Sequence, residues 1–579
     1  MMGGRGRCGV GLVAAAVILA PLVSVGLPYR DSLMARAGLV AALTAALAAA
    51  ALATPGGWQR LRGRPRALLA ACAAWAAVAV LGALVAVVRG NDPTLLAGQL
   101  LALGLLPAAA AAGLALAGWW RSLAVGVVVA VTLGSWIQLG WWLVSLLSDR
   151  LSDRLYLPNS VSVVGPALLA LVLAVSLLGR PQPRQRALAW LAILSLTALI
   201  AGSAVRALWL VTPLCLGLSL ILARSWSRAR RPRHLALAAA VVAAVVTGHV
   251  AVGAWLAAPR TNQLSDSPGD MLVKAGGGRT VTRPDGSVDL TLPHRRDLLS
   301  APFPVEGPGT YLLQAESSGG EQGSSVLFLG WLDAQQRPLG RFGVRLPAGD
   351  QRVVVSNVGA TPEGTRAAFI RWGGQPRARG TWNLARLSLR RLGPKGLAPL
   401  LKQRTIWLRR LRSLASVLAG GDPAVDPALA FRLTETRRVL SALGDSSLLE
   451  WVAGRGLGAT VHLGVKGYDN RGNLVWYGDV NYIHNLYLFL LYKLGLIGGG
   501  LALAALAVWI GWTARATRRS PPGERRAFLA AIAAAWIGYC AWAVTSPEIV
   551  DFAMTPLFGL LVAAAADAES NADVPSSQS

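Results

Sequence analysis

The stretch YIHNLYLFLLYKLGLIGG, from Tyr482 to Gly499, joins a long polar region to an apolar run. His484 and Asn485 stand at the boundary beside Tyr482 and Tyr487, and Gly495 and Gly498 follow within the apolar run. At 100° per residue, His484, Leu488, Leu491, Gly495 and Gly498 fall on one helical face. Glycines on that face predict close approach of a neighbouring helix. His484 then stands at the mouth of the seam, where an imidazole can exchange protons near neutral pH. A polar pair that merely ends a hydrophobic helix looks the same in isolation, so the rest of the chain must separate the two readings.

The chain has 579 residues, of which 54% are hydrophobic, and a formal net charge of +28. That composition is too apolar for an ordinary soluble protein and fits a polytopic membrane protein. The basic residues cluster in short loops between apolar runs, which points to membrane topology and away from nucleic acid. Cys8, Cys72, Cys215 and Cys540 lie in or beside apolar segments, so neither a disulfide framework nor a thiolate metal site is expected. The first apolar run lacks a convincing cleavage site and reads as a first transmembrane helix.

About twelve segments are long and apolar enough to cross a bilayer. They lie near residues 10–27, 34–53, 67–88, 95–118, 122–147, 161–178, 187–204, 206–223, 235–258, 485–512, 527–545 and 551–566. Arginines concentrate in alternate loops, as at Arg60, Arg62, Arg64 and Arg66 or Arg228, Arg230 and Arg231. The positive-inside rule then places both termini in the cytoplasm and the long loop from Pro259 to Ile483 outside. The expected class is mainly α, a polytopic membrane protein with an extracytoplasmic insertion between its ninth and tenth helices. A polar, disordered tail is expected after Ala566.

Residues 259–395 of that insertion read as β. VDLTL, TYLLQAES, SVLFLGWLD, QRVVVSNV, RAAFIRW and ARLSLRRL are short β-rich runs between Gly, Pro and Asp, spaced as in a sandwich. Their order resembles jelly-roll carbohydrate-binding modules. Trp331, Trp372 and Trp382 are either sugar-stacking platforms or, more ordinarily, core aromatics. Residues 396–483 return to helical periodicity. Within them, 397–418 is basic and amphipathic and suits a membrane surface or a packed helix. Arg432, Glu435, Arg437 and Arg438 share the next helix, and Gly454-Arg455-Gly456-Leu457-Gly458 follows.

Arginine binds phosphate through a planar fork that stays charged, which makes Arg206, Arg432, Arg437, Arg438 and Arg455 candidate anion ligands. The N–H groups of the glycine run offer a second means of approaching an anion, although a plain turn has the same composition. Glu435 suits Arg432 or Arg438 as a helical partner. Lys493, about 13 Å into its helix, is expected to snorkel or to meet Glu548 or Asp551. His249 reads as a neutral interhelical group, and His294 and His462 are scattered, so no metal site is expected.

His-Asn, nine residues, Gly, two residues, Gly resembles the signature of the bacterial O-antigen ligase and polymerase superfamily, carried here by His484, Asn485, Gly495 and Gly498. The order from Arg432 through the glycine run to His484 is also similar. The resemblance implies a glycosyltransferase-C-like (GT-C-like) membrane fold in the bacterial inner membrane, acting without metal or other cofactor. The implied donor is an undecaprenyl-pyrophosphate-linked glycan, and the acceptor is a hydroxyl of glycan, lipid A–core or protein. His484 would be the base, the arginines would hold pyrophosphate, and Asn485 and Tyr482 would contact sugar or orient the histidine. One departure is that Ser203 and Arg206, often adjacent in this family, are separated here. A polymerase shares the motif, and a polysaccharide transporter is the rival class, although no internal repeat supports it.

Overall fold

The computed structural model describes residues 65–115, 120–147, 161–178, 182–202, 206–223, 262–264, 272–273, 279–291, 297–374, 380–393, 427–468 and 474–546, with positions 554, 557 and 562. The spans expected at 10–27, 34–53 and 235–258, all but three positions of the span expected at 551–566, the segment 397–418, the tail, Ser203, His249, His294, Glu548 and Asp551 lie outside these residues. The chain divides into two units. One comprises residues 1–141, 157–245 and 413–579, and the other 142–156 and 246–412.

The first unit is helical, and the last six residues of its third helix, 142–147, fall in the other unit. Its helices are α1 (Arg66–Val88), α2 (Pro93–Ala115), α3 (Trp120–Leu147), α4 (Val161–Leu177), α5 (Pro183–Gly202), α6 (Arg206–Ala223), α7 (Pro427–Gly444), α8 (Leu448–Ala453), α9 (Leu486–Arg519) and α10 (Glu524–Trp542). Eight of the twelve apolar segments marked in the sequence are thus helical, within a few residues of the expected bounds. Among the described residues, three helices are long and apolar enough to cross a membrane: α1, residues 93–111 of α2, and α9. Apolar side chains run round most of their circumference, as a helix surrounded by protein and hydrocarbon requires.

Tryptophans join three of these helices. Trp75 of α1 lies 5.7 Å from Trp509 of α9, which stacks 6.1 Å from Trp536 of α10. The Trp75 indole donates to the Leu103 carbonyl of α2 at 3.0 Å. Buried rings of this size fix helix spacing while the indole N–H finds a backbone partner. Small residues permit further close contacts. A side chain at Gly538 of α10 would collide with Cys215 of α6, and one at Gly82 of α1 with Leu494 of α9.

The second unit is a β-domain. Its strands are β1 (Leu272–Val273), β2 (Arg279–Thr282), β3 (Val288–Thr291), β4 (Asp297–Ser300), β5 (Phe303–Pro304), β6 (Thr310–Leu332), β7 (Pro338–Ala360), β8 (Ala367–Gly374) and β9 (Thr381–Gly393), hydrogen-bonded in the order β1-β4-β8-β6-β9-β3-β2. β7 pairs with β6 along most of its length. The first half of β6 pairs with β9 and its second half with β8. The ladder breaks at Gly319, and Gly319 and Gly320 have φ of 88° and 79°, a region glycine enters without strain. The sheet folds back there, and both halves contribute to one core. Trp331, Trp372 and Trp382 are 1%, 0% and 0% exposed in that core, which removes them as sugar platforms. The inward alternation along β9 explains why: Trp382, Leu384, Leu387 and Leu389 face in, and Thr381 and Arg386 face out.

Candidate active site

A third, smaller β-element belongs to the helical unit. β10 (Val461–Tyr468) and β11 (Leu474–Val480) form an antiparallel hairpin between α8 and α9. The site is assembled from α7, this hairpin and the start of α9.

α7 is amphipathic in a way that decides the chemistry. Phe431, Glu435, Val439 and Leu443 recur every four residues on one face, and Glu435, Val439 and Leu443 are 3%, 0% and 2% exposed. A carboxylate on that face must be paired or it is expelled. Its partner is His484. The His484 backbone N–H donates to a Glu435 carboxylate oxygen at 3.1 Å, and Nδ1 lies 3.0 Å from both oxygens. An ionised carboxylate only accepts, so Nδ1 is the donor in this pair, and in the neutral ring the lone pair is then on Nε2. The imidazole side chain is 30% exposed. Phe431 and Tyr482 meet it edge-on, with ring centroids 6.1 Å and 5.0 Å away. Phe431 is backed by Tyr477 of β11 at 5.0 Å.

His484 is held from below as well. Asn485 is the N-cap of α9, and its side-chain oxygen accepts from the backbone N–H groups of Tyr487 and Leu488 at 2.9 and 3.1 Å. This satisfies two donors that a helix start otherwise leaves unpaired. The Asn485 side-chain oxygen is therefore committed to capping α9. The Leu486 N–H donates to the Ala543 carbonyl at the end of α10, and the Tyr487 hydroxyl donates to the Cys540 carbonyl, both at 2.8 Å. Gln99 of α2 donates to the Asn481 carbonyl at 3.0 Å.

The glycine run does something other than meet an anion. Its N–H groups are all committed. Gly454 donates to the Glu450 carbonyl, Arg455 and Gly456 to the carbonyls of Tyr492 and Lys493, and Leu457 to that of Gly82, at 2.8–3.0 Å. Gly458 donates to Gln99 Oε1 at 2.7 Å. Asn91 returns the bond, donating to the Arg455 and Leu457 carbonyls at 2.9 Å. The run is a plug between α1 and α9. It fits because α9 is broken at Gly495, whose φ of 65° is not helical. A Cβ at Gly495 would strike the backbone of Gly454 and Val452. Gly495 therefore accepts a loop, where the motif predicted a helix. Gly498 packs toward Leu81 of α1, closer to the expected role. The break also ends the single helical face expected to run from His484 to Gly498.

Arg455 leaves the candidate anion ligands for the same reason. Its guanidinium donates to the Ala442 carbonyl and the Ser446 hydroxyl at 3.1 Å and lies over the Tyr492 ring at 5.2 Å. It ties the end of α7 to α9. Lys493 is fully buried and donates to the Ala459 carbonyl, so it does not reach the surface as expected. Arg206 opens α6, but its side chain is not among those described. Arg432 and Arg438 flank Glu435 at roughly 60° on either side, whereas Arg437 points about 200° away. Arg438 and Arg437 are exposed and Arg432 is half-buried. His462 pairs with Asp479 across the hairpin at 2.9 Å, fully at the surface.

Three contributors escaped the reading of the sequence. Glu435 was set against arginines, although its place on an apolar stripe already demanded a buried partner. Asn91 and Gln99 carried no signal, since isolated amides beside an apolar helix are common.

No protein-family model and no curated protein matches the chain. Among solved structures, the enzymatically active domain of tailspike protein 4 from bacteriophage CBA120 is similar over 22% of this chain and 21% of that one, at 15% identity and a TM-score of 0.19. A likeness that slight carries no argument about fold or function.

Proposed function

We propose that the chain is an O-antigen-ligase-like glycosyltransferase of the bacterial cell membrane. It would move a glycan from a polyprenyl-pyrophosphate carrier to an acceptor hydroxyl at the outer face. The observation that carries this reading is the Glu435–His484 pair. A buried carboxylate faces Nδ1, an arrangement that would leave Nε2 of the neutral ring as a base, on a partly exposed imidazole at the head of an apolar helix.

In the proposed step, Nε2 takes the proton of the acceptor hydroxyl as its oxygen attacks the anomeric carbon. The bond from that carbon to the pyrophosphate oxygen breaks with inversion, and the carrier leaves as the pyrophosphate. Glu435 faces the positive charge that appears on the ring and holds its orientation. Arg432 and Arg438, on either flank of Glu435, would meet the departing charge. Tyr482, 46% exposed and edge-on to the imidazole, offers a ring to the incoming sugar.

The test is transfer in proteoliposomes from a labelled undecaprenyl-pyrophosphate oligosaccharide to envelope acceptors, followed by gel. A single mass increment that His484→Ala abolishes supports a ligase. An evenly spaced ladder, equally dependent on His484, moves the reading to a polymerase. Label crossing the membrane at unchanged mass, with or without His484, overturns the transferase reading.

A further inference from the structure

α8 is six residues long, yet it carries two of the most exposed leucines in the helical unit. Leu448 is 81% exposed and Leu449 69%. The helix is not loosely held. Ser447 and Glu450 form a reciprocal capping box, and Glu450 also binds Arg89 at 2.6 Å. Arg89 is the residue that ends α1. The two leucines are therefore presented outward by a fixed element, and a fixed element with apolar tips demands an apolar partner.

The depth of the neighbouring plug says what that partner is. Leu457 donates to Gly82, six residues before the end of α1, and Gly456 donates to Lys493, seven residues after the start of α9. At 1.5 Å per residue these are independent depths of about 9 and about 10.5 Å below the two helix ends. The chain thus descends from α8 into the bundle and returns. Glu450 ties the first turn of α8 to Arg89, at the ends of the two long apolar helices, while Val452 in its last turn already lies against Gly495. Just below Arg89, Val80, Leu84, Val87 and Val88 of α1 are 56–86% exposed. Backbone can leave helical geometry at membrane depth only where other protein satisfies it, and every N–H from Gly454 to Gly458 is satisfied.

We infer that Leu448–Gly458 is a re-entrant element whose leucines insert into the hydrocarbon of the outer leaflet, continuing the lipid-facing surface of α1. The occupant of this face is bilayer acyl chain. The element anchors the end of α7 through Arg455, and so sets Glu435 and His484 at a fixed height above the lipid. The inference rests on the membrane reading of α1 and α9.

Single cysteines at Leu448, Leu449, Leu84 and Asp479, in a full-length chain with its four native cysteines replaced by alanine, would be labelled with bimane. The protein would be reconstituted in liposomes containing phosphatidylcholine brominated on its acyl chains. Leu84 is the lipid reference and Asp479 the water reference. The expected result is at least about threefold more quenching at 448 and 449 than at 479, approaching that at 84. Quenching at 84 with 448 and 449 resembling 479 overturns the inference and leaves the membrane reading standing. No quenching at 84 removes the membrane reading, and the inference with it.

Discussion

Glu435→Gln separates an orienting carboxylate from a merely structural one. The side chain keeps its size, and its remaining oxygen still accepts from the His484 N–H now held at 3.1 Å. The amide nitrogen, however, is a donor placed 3.0 Å from Nδ1. The one oxygen left, also 3.0 Å from Nδ1, must then serve both the backbone N–H and the ring, and wherever the amide nitrogen faces Nδ1 the imidazole takes the other tautomer, with the proton on Nε2 and the lone pair spent on the amide. In that tautomer the ring cannot accept a proton from the hydroxyl. The corresponding loss in a Ser-His-Asp triad is about 10⁴ in turnover, and with the ring here partly solvated roughly 10²–10⁴ is expected, or about 3–5 kcal/mol of barrier. Stability should change by less than about 1.5 kcal/mol, since a satisfied neutral bond replaces a charged one. Glu435→Ala differs in kind: it strands the His484 N–H in a buried site, costing about 1–3 kcal/mol of stability besides the activity. The assay is single-turnover transfer in proteoliposomes, with thermal unfolding in detergent run on the same preparations. Activity of Glu435→Gln within about threefold of the parent, beside an inactive His484→Ala, would refute the orienting role.

Arg455→Ala should lower the unfolding temperature by removing bonds to Ala442 and Ser446, at about 2–4 kcal/mol, while leaving the KM for the lipid-linked donor unchanged. A raised KM in a stably folded variant would return Arg455 to the pyrophosphate. Gly456→Ala should be worse still, because φ is +82° and the new Cβ would lie 2.5 Å from the Ala86 nitrogen; a loss above about 3 kcal/mol is expected, read as failure to purify folded or a sharply lowered melting temperature. Glu450 supplies a pH signature. The Ser447 N–H and the Arg89 guanidinium hold its carboxyl below the ordinary 4.5. Its lock is therefore complete above that value and is lost as the pH falls through the lowered one. Parent and Glu450→Gln melting curves should converge as pH drops from 6 toward 3, and parallel curves would show that the lock contributes nothing.

What could be read in advance was whatever depends on composition and period. Apolar runs gave eight helices because burial and hydrogen-bond closure act on each segment alone. Alternation in TYLLQAES and ARLSLRRL marked strands for the same reason. The fold-back of β6 at Gly319 was not legible, because one strand serves both halves of the core and only the cross-strand pairing reveals it. His484 was legible as a candidate site by position. Its partner was not, because helical spacing offers Glu435 two nearby arginines and says nothing about a residue 49 positions away. The glycine run misled for a physical reason. Consecutive N–H groups in positive-φ turns suit an anion or a row of carbonyls equally well, and the break at Gly495 supplies the carbonyls.

The same break explains why a catalytic histidine would be placed here. An unbroken α9 satisfies its own carbonyls and needs nothing beside it. Once Gly495 leaves the helical region, the Tyr492 and Lys493 carbonyls just before the break accept from Arg455 and Gly456, and a carbonyl at such a break needs a partner in an apolar surround. The chain from Gly454 to Gly458 must then enter and stay. That insertion ties the end of α7 to the upper turns of α9 through Arg455, and α7 carries Glu435 to the ring of His484. A kink that costs backbone hydrogen bonds thus becomes the means by which two residues on separate helices keep a 3.0 Å contact. It follows that Gly495→Ala should damage the Glu435–His484 pair, though it touches neither residue. The expected mark is a loss of turnover comparable to Glu435→Gln together with loosened proteolytic protection of residues 445–460. Intact protection and full turnover in Gly495→Ala would show that the pair stands without the plug.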